Sequence, residues 1–392
     1  MNTPAIRLKP GKDKSVRRFH PWIFSGAIDK IPAKTGDGDV VEVYDYKKNF
    51  LCVGHYQNSS ISVRVLSHKR VPIDQSFWNS KIEAAAKARK ARNLPSADTD
   101  CYRLVHGEGD GLPGLIIDIY GHTAVIQPHS AGMELQVQAI AEAVEHALGD
   151  TIEHVYMRTG MKIKEGETDP SGFLKGGVSE PVQVKENGLR FGVDVVEGQK
   201  TGFYVDQRKN RARLTDYVSG KTVLNLFCYT GGFSMYAIRA GAKMVHSVDA
   251  SVKAIEQVKK NISANGFDPE VHPAFAEEAF SFLAKKAADY DVMVLDPPAF
   301  AKHMSARHQA LKGYRRLNTQ AMKAIKSGGI IFTFSCSQVI DRQLFQDAIL
   351  ASAIQAGRGV KILDRLTQPA DHPVSIYHPE GEYLKGLVLE II

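Results

Sequence analysis

The chain has 392 residues, of which 43% are hydrophobic and 24% are charged. This is the composition of a globular protein that is long enough for two or three domains. The 50 Lys and Arg residues exceed the 43 Asp and Glu residues, so the formal net charge is +7. Such an excess fits a polyanionic partner such as nucleic acid, and it fits equally well a basic enzyme without one.

Two features of the sequence bear on location. The basic residues 1–20 lack the apolar segment of a secretory signal, and no apolar run approaches the ~18 residues of a membrane span. We therefore expect a cytoplasmic protein with no membrane contact.

The Cys and His residues do not fall in the spacings of known metal sites. The 4 Cys residues are far apart and form no C-x-x-C pair, and the 14 His residues form no H-x-x-x-H or H-E-x-x-H pattern. We expect neither a disulfide framework nor a bound metal ion.

The first 70 residues favour a small β-barrel. Short alternating segments at 39–44, 50–56 and 60–66 are separated by Gly, Asn and Ser, which is typical of strands joined by turns. Residues 75–93 then predict a helix with one basic face. Such a face either is solvated or contacts RNA.

The middle of the chain, from about residue 100 to 185, predicts mixed structure. Strands are expected at 115–119 and 124–127, and an amphipathic helix at 134–148. Residues 162–177 are polar, Gly-rich and basic, and we interpret them as a loop without a recognisable motif. Asn187-Gly188 lies between alternating segments and predicts a hairpin.

From about residue 200 onwards, apolar strands alternate with helical segments, which predicts a parallel, doubly wound α/β sheet. The strands are predicted at 222–228, 243–248, 291–295 and 330–335. The helices are predicted at 231–240, 251–265, 276–288 and 306–326. Two further strands are predicted at 360–366 and 383–391.

The first of these strands ends at a glycine turn, Gly231-Gly232. Glycine lets a nucleotide-like ligand approach the backbone just before a helix. The full G-x-G-x-x-G pattern is absent, because Phe227 and Tyr229 occupy positions where glycine is usual. A dinucleotide pyrophosphate would therefore fit poorly, whereas a cofactor without phosphates is tolerated.

The next strand ends at Asp249, 24 residues after Asn225. An acid in this position can accept hydrogen bonds from both ribose hydroxyls of a nucleoside. The alternative is that Asp249 and Ser251 only begin a helix. The glycine turn upstream favours the ribose role.

Two later strands end at Asp296-Pro-Pro and at Cys336. Proline restricts the preceding residue to extended geometry, so the Asp296 carboxylate would be held stiffly enough to recognise the edge of a planar base. Cys336 is a candidate nucleophile if its site activates the thiol. Alternatively, Asp296-Pro-Pro only forms a turn, and Cys336 only packs as a small buried apolar residue. Cys228, beside the glycine turn, is interpreted as packing near the cofactor.

Several motifs together resemble the RlmI-like (YccW-type) cytosine-5 methyltransferases of 23S ribosomal RNA. They extend over nearly the whole chain: Phe19-His-Pro-Trp-Ile-Phe-Ser-Gly26, Thr201-Gly-Phe-Tyr-Val-Asp-Gln-Arg208, Asn225-Leu-Phe-Cys-Tyr-Thr-Gly-Gly-Phe233, Asp296-Pro-Pro, Phe334-Ser-Cys-Ser337, Ala370-Asp-His-Pro373 and Tyr383-Leu-Lys-Gly386. The resemblance implies an N-terminal PUA RNA-binding domain (1–72), a central α+β domain (73–187) and a C-terminal Rossmann-like methyltransferase domain (188–392).

The resemblance also implies roles for individual residues. Cys336 would add to carbon 6 of cytosine, and Asp296 would bind the amino and ring-nitrogen edge of the base. Pro297, Pro298 and Phe300 would contact the substrate, with Phe300 as a stacking partner. The cofactor S-adenosyl-L-methionine would be held by Gln207, Phe227, Tyr229, Gly231, Asp249, Glu278 and Asp296. At Glu277-Glu278 this family usually has Asp, so the chain departs from the pattern there.

Two other functions remain open. In the first, Asp-Pro-Pro polarises an exocyclic amine or a guanine nitrogen for methylation, and Cys336 only packs. In the second, the chain is a non-catalytic RNA-binding factor of ribosome assembly. The expected partner in each case is large-subunit ribosomal RNA. We find no heptad repeat or exposed apolar stripe that predicts a dimer, although the resemblance is compatible with a homodimer.

Overall fold

The computed structural model describes residues 3–161, 163, 166, 168–286, 290–301 and 303–392. The chain forms two compact units, each made of separate segments. The first unit contains Met1–Lys185, Val193–Val205 and Ala370–Gly381; the second contains Glu186–Gly192, Asp206–Pro369 and Glu382–Ile392. The predicted domain boundaries at 72/73 and 187/188 remain predictions.

The first unit begins with a six-stranded sheet. Its strands are β1 Ala5–Leu8, β2 Trp22–Phe24, β3 Ile28–Lys30, β4 Val40–Tyr44, β5 Phe50–Tyr56 and β6 Ile61–Ser67. Their order is β2-β6-β5-β4-β1-β3, and β1 and β4 pair in parallel. The three predicted strands are confirmed. Strands β1 to β3 were not predicted, because three or four residues are too few to show an alternating pattern. A short helix, α1 Lys14–Arg17, follows β1.

A second sheet of the first unit has the order β11-β10-β9-β8-β7. Its strands are β7 Cys101–His106, β8 Leu115–Tyr120, β9 Thr123–Pro128, β10 His154–Met157 and β11 Gly172–Lys175. Its helices are α2 Gln75–Lys90, α3 Ala131–Leu135 and α4 Val137–Leu148. The predicted strands at 115–119 and 124–127 and the helix at 75–93 are confirmed.

Two predictions for this segment are wrong in part. The predicted helix at 134–148 is divided at Gln136, where the backbone leaves helical geometry. The predicted loop at 162–177 contains β11, which pairs with β10. Residues 162, 164, 165 and 167 of that loop lie outside the described residues.

The predicted hairpin at Asn187-Gly188 is confirmed by the strands β12 Val182–Glu186 and β13 Leu189–Val193, which form a two-stranded sheet. Both turn residues have positive φ, +49° at Asn187 and +82° at Gly188. Asn and Gly tolerate this left-handed geometry better than other residues do.

The second unit contains a seven-stranded sheet with the order β16-β15-β14-β17-β18-β20-β19. Its strands are β14 Thr222–Leu226, β15 Met244–Asp249, β16 Ala274–Ala276, β17 Val292–Leu295, β18 Gly329–Ser335, β19 Val360–Leu366 and β20 Lys385–Ile391. Strands β14 to β18 pair in parallel, whereas β20 is antiparallel to both of its neighbours. The predicted doubly wound sheet is confirmed, and the short strand β16 was not predicted.

The helices of this unit are α5 Arg208–Leu214, α6 Gly232–Arg239, α7 Val252–Ala264, α8 Ala279–Lys286, α9 Arg307–Ala324 and α10 Arg342–Ala356. The predicted helix at 276–288 begins three residues late, and residues 287 and 288 lie outside the described part of the chain. Among the described residues, no helix has the length and apolar character needed to cross a membrane.

Helix α10 was not predicted, and it changes one expectation. Its outer face exposes Leu350 and Ile354, which retain 60% and 74% of their surface. They border a groove of about 400 Å³ against the adjoining strands. The expectation that no apolar stripe is exposed is therefore wrong, while the homodimer remains a prediction.

The order of the strands determines where a site can form. Strand β14 has β15 on one side and β17 on the other, so successive strands are added first on one side of β14 and then on the other. In open α/β sheets, ligands bind at such a switch point, outside the carboxyl ends of the strands. The segments that follow β14, β15, β17 and β18 all begin at that edge.

Candidate functional site

The turn after β14 has an unusual backbone. Phe227, Tyr229 and Gly231 all have positive φ, at +57°, +48° and +83°. For Phe and Tyr this geometry is strained, and such strain is typical of ligand-binding sites. Gly231 also begins helix α6, and a Cβ atom there would lie 3.2 Å from a methyl group of Val258. The turn therefore has little room for any residue other than glycine at this position.

Asp249 connects this turn to the next helix. Its Oδ2 accepts a hydrogen bond from the Tyr229 backbone N–H at 2.9 Å, and its Oδ1 accepts one from Ser251 N–H at 2.9 Å. The cap of α7 is the Ser251 hydroxyl, which accepts from Ala254 N–H. Asp249 is thus not needed as the cap. Each of its carboxylate oxygens has a further acceptor position, which suits two ribose hydroxyls.

Two buried oxygen atoms here have no hydrogen-bond partner among the residues that the structure describes: Oγ1 of Thr230 in the turn and Oδ1 of Asn225 near the end of β14. Buried polar atoms without a partner are uncommon in proteins. Together with the Asp249 carboxylate, they fit an uncharged polar ligand such as a nucleoside. Cys228, also buried here, lies in surroundings that raise the pKa of its thiol well above the usual value, chiefly through desolvation. It therefore packs as a neutral thiol.

Gln207 and Asp296 contact each other directly. Gln207 is buried at the start of α5, and its Nε2 donates to Oδ2 of Asp296 at 3.0 Å. The side chain of Asn210 donates to Oε1 of Gln207 at 2.6 Å, which fixes the orientation of the amide. Asp296 is half-buried and lies one residue beyond β17.

The segment that follows Asp296 includes Pro297, Pro298 and Phe300. Pro297 is buried and Pro298 is exposed. The half-buried ring of Phe300 packs against Tyr314 of α9, with the ring centroids 4.8 Å apart. A base could therefore contact only the part of the Phe300 ring that α9 leaves accessible. Its stacking role remains a prediction.

Cys336 follows the last residue of β18 and is partly exposed, while its neighbours Ser335 and Ser337 are buried. Leu295 pairs with Thr333 in the parallel β17–β18 register, so Asp296 and Cys336 emerge at the same edge of the sheet. The Ser337 hydroxyl accepts a long 3.5 Å hydrogen bond from the backbone N–H of Ala301. The Asp296 and Cys336 segments are thereby joined.

Lys385 is a functional candidate to which the sequence assigned no role. Its side chain is buried, and its Nζ donates to the backbone oxygens of Ser337 and Tyr383, each at 2.7 Å. Burial lowers the pKa of Lys385 to about 8, while negative charge on Cys336 acts in the opposite direction. The signal that could have indicated it was a Lys at the start of a mostly apolar strand.

Glu278 has a structural role that the sequence did not anticipate. It is exposed, and its Oε2 accepts hydrogen bonds from the backbone N–H and the hydroxyl of Ser281 at the start of α8. Glu277 forms an ion pair with Lys285 instead, at 3.3 Å. The predicted contact of Glu278 with the cofactor remains a prediction.

Folding also brings together potential metal ligands that are far apart in the sequence. In the first unit, His20, His378 and Glu380 have ligand atoms within 4.8 Å of one another. The expectation of no metal site was based on spacing along the sequence alone, and it remains a prediction.

Comparison with known proteins gives two family matches. A family model described as S-adenosylmethionine-dependent methyltransferase matches residues 161–387, and one described as a PUA-like domain matches residues 6–68. The chain is 41% identical over 399 residues to "Ribosomal RNA large subunit methyltransferase I" of Vibrio cholerae, with 100% of both chains covered. It is 40% identical over 393 residues to the protein of the same name from Alteromonas mediterranea, with 98% of each covered.

Solved structures show the same fold over the full length. A putative methyltransferase complexed with SAH has a TM-score of 0.85 at 23% identity, with 100% of both chains covered. A putative SAM-dependent methyltransferase from Streptococcus mutans has a TM-score of 0.84 at 23% identity, covering 99% of this chain and 100% of that one. The predicted α/β fold, with a methyltransferase domain and an N-terminal PUA-like domain, is confirmed.

Proposed function

The chain belongs to the ribosomal RNA large subunit methyltransferase I family, and we propose that it methylates carbon 5 of a cytosine in 23S ribosomal RNA. The family is S-adenosylmethionine-dependent, so the cofactor predicted from the sequence is confirmed. The site of methylation and the covalent role of Cys336 are the proposal.

The placement of Cys336 is the observation that carries this proposal. The thiol is partly exposed at the carboxyl end of β18, next to the strand that ends at Asp296. A structural cysteine would be expected inside the core, as Cys228 is. A partly exposed thiol beside a buried cation can instead form a thiolate, which is the nucleophilic form of cysteine.

The chemistry assigned to Cys336 is an addition followed by an elimination. Its thiolate forms a bond to carbon 6 of the cytosine, and the electrons of the 5,6 double bond make carbon 5 nucleophilic. When bound, S-adenosylmethionine would supply the methyl group to carbon 5, and the broken sulfur–methyl bond would leave its electron pair on sulfur in S-adenosylhomocysteine. Loss of the carbon-5 proton to a base then restores the double bond, and Cys336 leaves as a thiolate. No residue is assigned as that base.

Asp296 has the position needed to bind the base. Its carboxylate can accept hydrogen bonds from the amino edge of cytosine and stabilise charge that develops in the adduct. Gln207 holds one carboxylate oxygen through the 3.0 Å hydrogen bond. Because a stacked cytosine is out of reach, the target base must be unpaired or flipped out of its helix.

The cofactor contacts form part of the proposal. Asp249 would hold the ribose, and the backbone of the turn at Phe227, Tyr229 and Gly231 would lie against the nucleoside. The two unpartnered oxygens of Asn225 and Thr230 support a polar ligand at this turn. Glu278 would reach the adenine only with the carboxylate oxygen that does not cap α8.

Location and assembly are also proposed rather than shown. An enzyme that acts on ribosomal RNA would work in the cytoplasm, and the PUA-like domain would contribute RNA affinity. The exposed face of α10, with Leu350 and Ile354, is where a homodimer could form. We propose no metal ion in the reaction.

A methylation assay tests the proposal. The protein is incubated with labelled S-adenosylmethionine and unmodified large-subunit ribosomal RNA, beside the Cys336→Ala variant, and the RNA is digested to nucleosides. We expect 5-methylcytidine from the wild type and none from the variant. A different methylated nucleoside, formed equally well by Cys336→Ala, would favour methylation of an exocyclic amine or a guanine nitrogen. Cofactor binding without methyl transfer to any ribosomal RNA would favour an assembly factor.

A further inference from the structure

Lys385 lies in the sheet directly beside the strand that carries Cys336. In the antiparallel β18–β20 register, Lys385 pairs with Ser335, the residue before the cysteine. Its Nζ reaches past that pair to the carbonyl oxygen of Ser337, the residue after the cysteine, at 2.7 Å. Lys385 therefore contacts the chain on both sides of Cys336. Its backbone pairs with Ser335 before the cysteine, and its side chain binds the carbonyl oxygen of Ser337 after it.

The environment of Lys385 is unusual for a lysine. Lysine is among the residues that are least often fully buried, yet Lys385 retains only 4% of its surface. Two of its Nζ hydrogens are used by the carbonyl oxygens of Ser337 and Tyr383. A neutral amine has two hydrogens, and an ammonium group has a third. An ammonium group thus keeps one hydrogen beyond these two contacts, and negative charge on Cys336 favours this protonated form by raising the pKa of Lys385.

The other charged groups that act on Lys385 partly offset one another. Asp341 and Glu382 raise its pKa and Arg342 lowers it, whereas burial, the largest influence, lowers it. The hydroxyl of Tyr314, from α9, lies 3.2 Å from the Ser337 hydroxyl. The pKa of Tyr314 is raised chiefly by burial, and a charge on Cys336 raises it further. Near the thiol, Lys385 thus supplies a buried cation and Tyr314 supplies a neutral hydroxyl.

We propose that Lys385 is a positioning residue that activates Cys336, because its ammonium group stabilises the thiolate and its hydrogen bonds hold the backbone that carries the sulfur. The proton leaves the thiol for solvent, and the sulfur retains the electron pair with which it attacks carbon 6. This inference rests on the proposed function, in which Cys336 is the nucleophile. It adds the group that makes the nucleophile available at neutral pH.

Alkylation of Cys336 by iodoacetamide tests this coupling without RNA or cofactor. The rate is measured as a function of pH, and the peptide that contains Cys336 is followed by mass spectrometry. We expect Lys385→Met to raise the midpoint of the pH profile by about one unit or more, which corresponds to about tenfold slower alkylation at neutral pH. Lys385→Arg keeps the positive charge and should return the midpoint toward that of the wild type.

Lys361→Met is the matched control. Lys361 is an exposed lysine on the adjoining strand β19, paired with Glu390 at 3.2 Å, and its loss should leave the profile unchanged. An unchanged midpoint in folded Lys385→Met would overturn the proposal.

A second measurement covers the case in which Lys385→Met does not fold. In protein whose lysines carry ¹³C-methyl labels, NMR titration should show a lower pKa for Lys385 in Cys336→Ala than in the wild type. An equal pKa in the two proteins would also overturn the proposal.

The outcomes separate this inference from the function on which it rests. A shifted alkylation profile without any 5-methylcytidine would retain the coupling and reject cytosine-5 methylation. Formation of 5-methylcytidine that requires Cys336, with an unchanged profile in Lys385→Met, would retain the function and reject the role of Lys385.

Discussion

The side-chain amide of Gln207 donates a hydrogen bond to the carboxylate of Asp296, with 3.0 Å between Nε2 and Oδ2. These residues are 89 positions apart in the sequence, and the contact joins the start of α5 to the end of β17. One oxygen of the carboxylate that is proposed to bind the base is thereby fixed.

Replacing Gln207 with Leu should weaken the reaction by freeing Asp296. A hydrogen bond to a charged group contributes about 1.5–3 kcal/mol, so the methylation rate should fall about 10- to 100-fold. The matched control is Gln343→Leu, which removes an exposed Gln–Asp hydrogen bond on α10, 2.8 Å long, and should leave the rate unchanged. Steady-state methylation kinetics measure both variants. Equal rates for Gln207→Leu and the wild type would show that this hydrogen bond does not position Asp296.

Asp249→Asn should weaken cofactor binding. In the wild type, the N–H groups of Tyr229 and Ser251 each donate to a different oxygen of the Asp249 carboxylate. The substitution removes the negative charge and leaves a single side-chain oxygen to accept from both. We expect the dissociation constant for S-adenosylmethionine, measured by calorimetry, to rise by about tenfold or more. Glu256→Gln, on an exposed position of α7, is the control. Unchanged affinity in Asp249→Asn would reject its contact with the ribose.

The stability of the first unit should depend on pH through His55. This side chain is 2% exposed, and burial lowers its pKa to about 4. Between pH 6.5 and 4, the unfolded chain binds a proton at His55 that the folded chain does not, so the free energy of unfolding falls as pH falls. The full loss for a shift of this size is roughly 3 kcal/mol.

Denaturant unfolding at a series of pH values tests this assignment, with the fluorescence of nearby Trp78 as the signal. His55→Asn should be less stable than the wild type near pH 7, and the difference should narrow as pH falls below 6.5. The control is His146→Asn, at a position on α4 that is 54% exposed. Its free energy of unfolding, plotted against pH, should run parallel to that of the wild type. If the free energy of unfolding of His55→Asn also ran parallel to the wild type against pH, His55 would not be the source of the pH dependence.

The sequence predicted the elements whose pattern is local. Strands β14, β17 and β18 are mostly apolar segments followed closely by the glycine turn, by Asp296-Pro-Pro and by Cys336, so both their positions and the residues beyond their ends could be inferred. Helix α10 was missed because Leu350 and Ile354 lie on its exposed face, which obscures the apolar periodicity. Strand β16 has only three residues.

The parts of the site that depend on long-range contacts could not be predicted. Lys385 lies opposite Ser335 only because β20 enters the sheet beside β18, 50 residues further along the chain. His20 and His378 meet in the first unit for a similar reason, and no spacing rule anticipates them. For Glu278, by contrast, the family pattern predicts a contact with the cofactor, while the structure shows a local contact. Its exposed carboxylate caps helix α8.

Covalent trapping tests the role of Cys336 most directly. Large-subunit ribosomal RNA that contains 5-fluorocytidine is incubated with the protein and S-adenosylmethionine. A base removes the proton from carbon 5 but cannot remove fluorine from that position, so the elimination step is blocked. The bond from Cys336 to carbon 6 should then persist as a complex that survives denaturing electrophoresis. The wild type should form this complex, and Cys336→Ala should not. RNA that is methylated by the wild type without any trapped complex, or a complex formed equally by Cys336→Ala, would contradict the account.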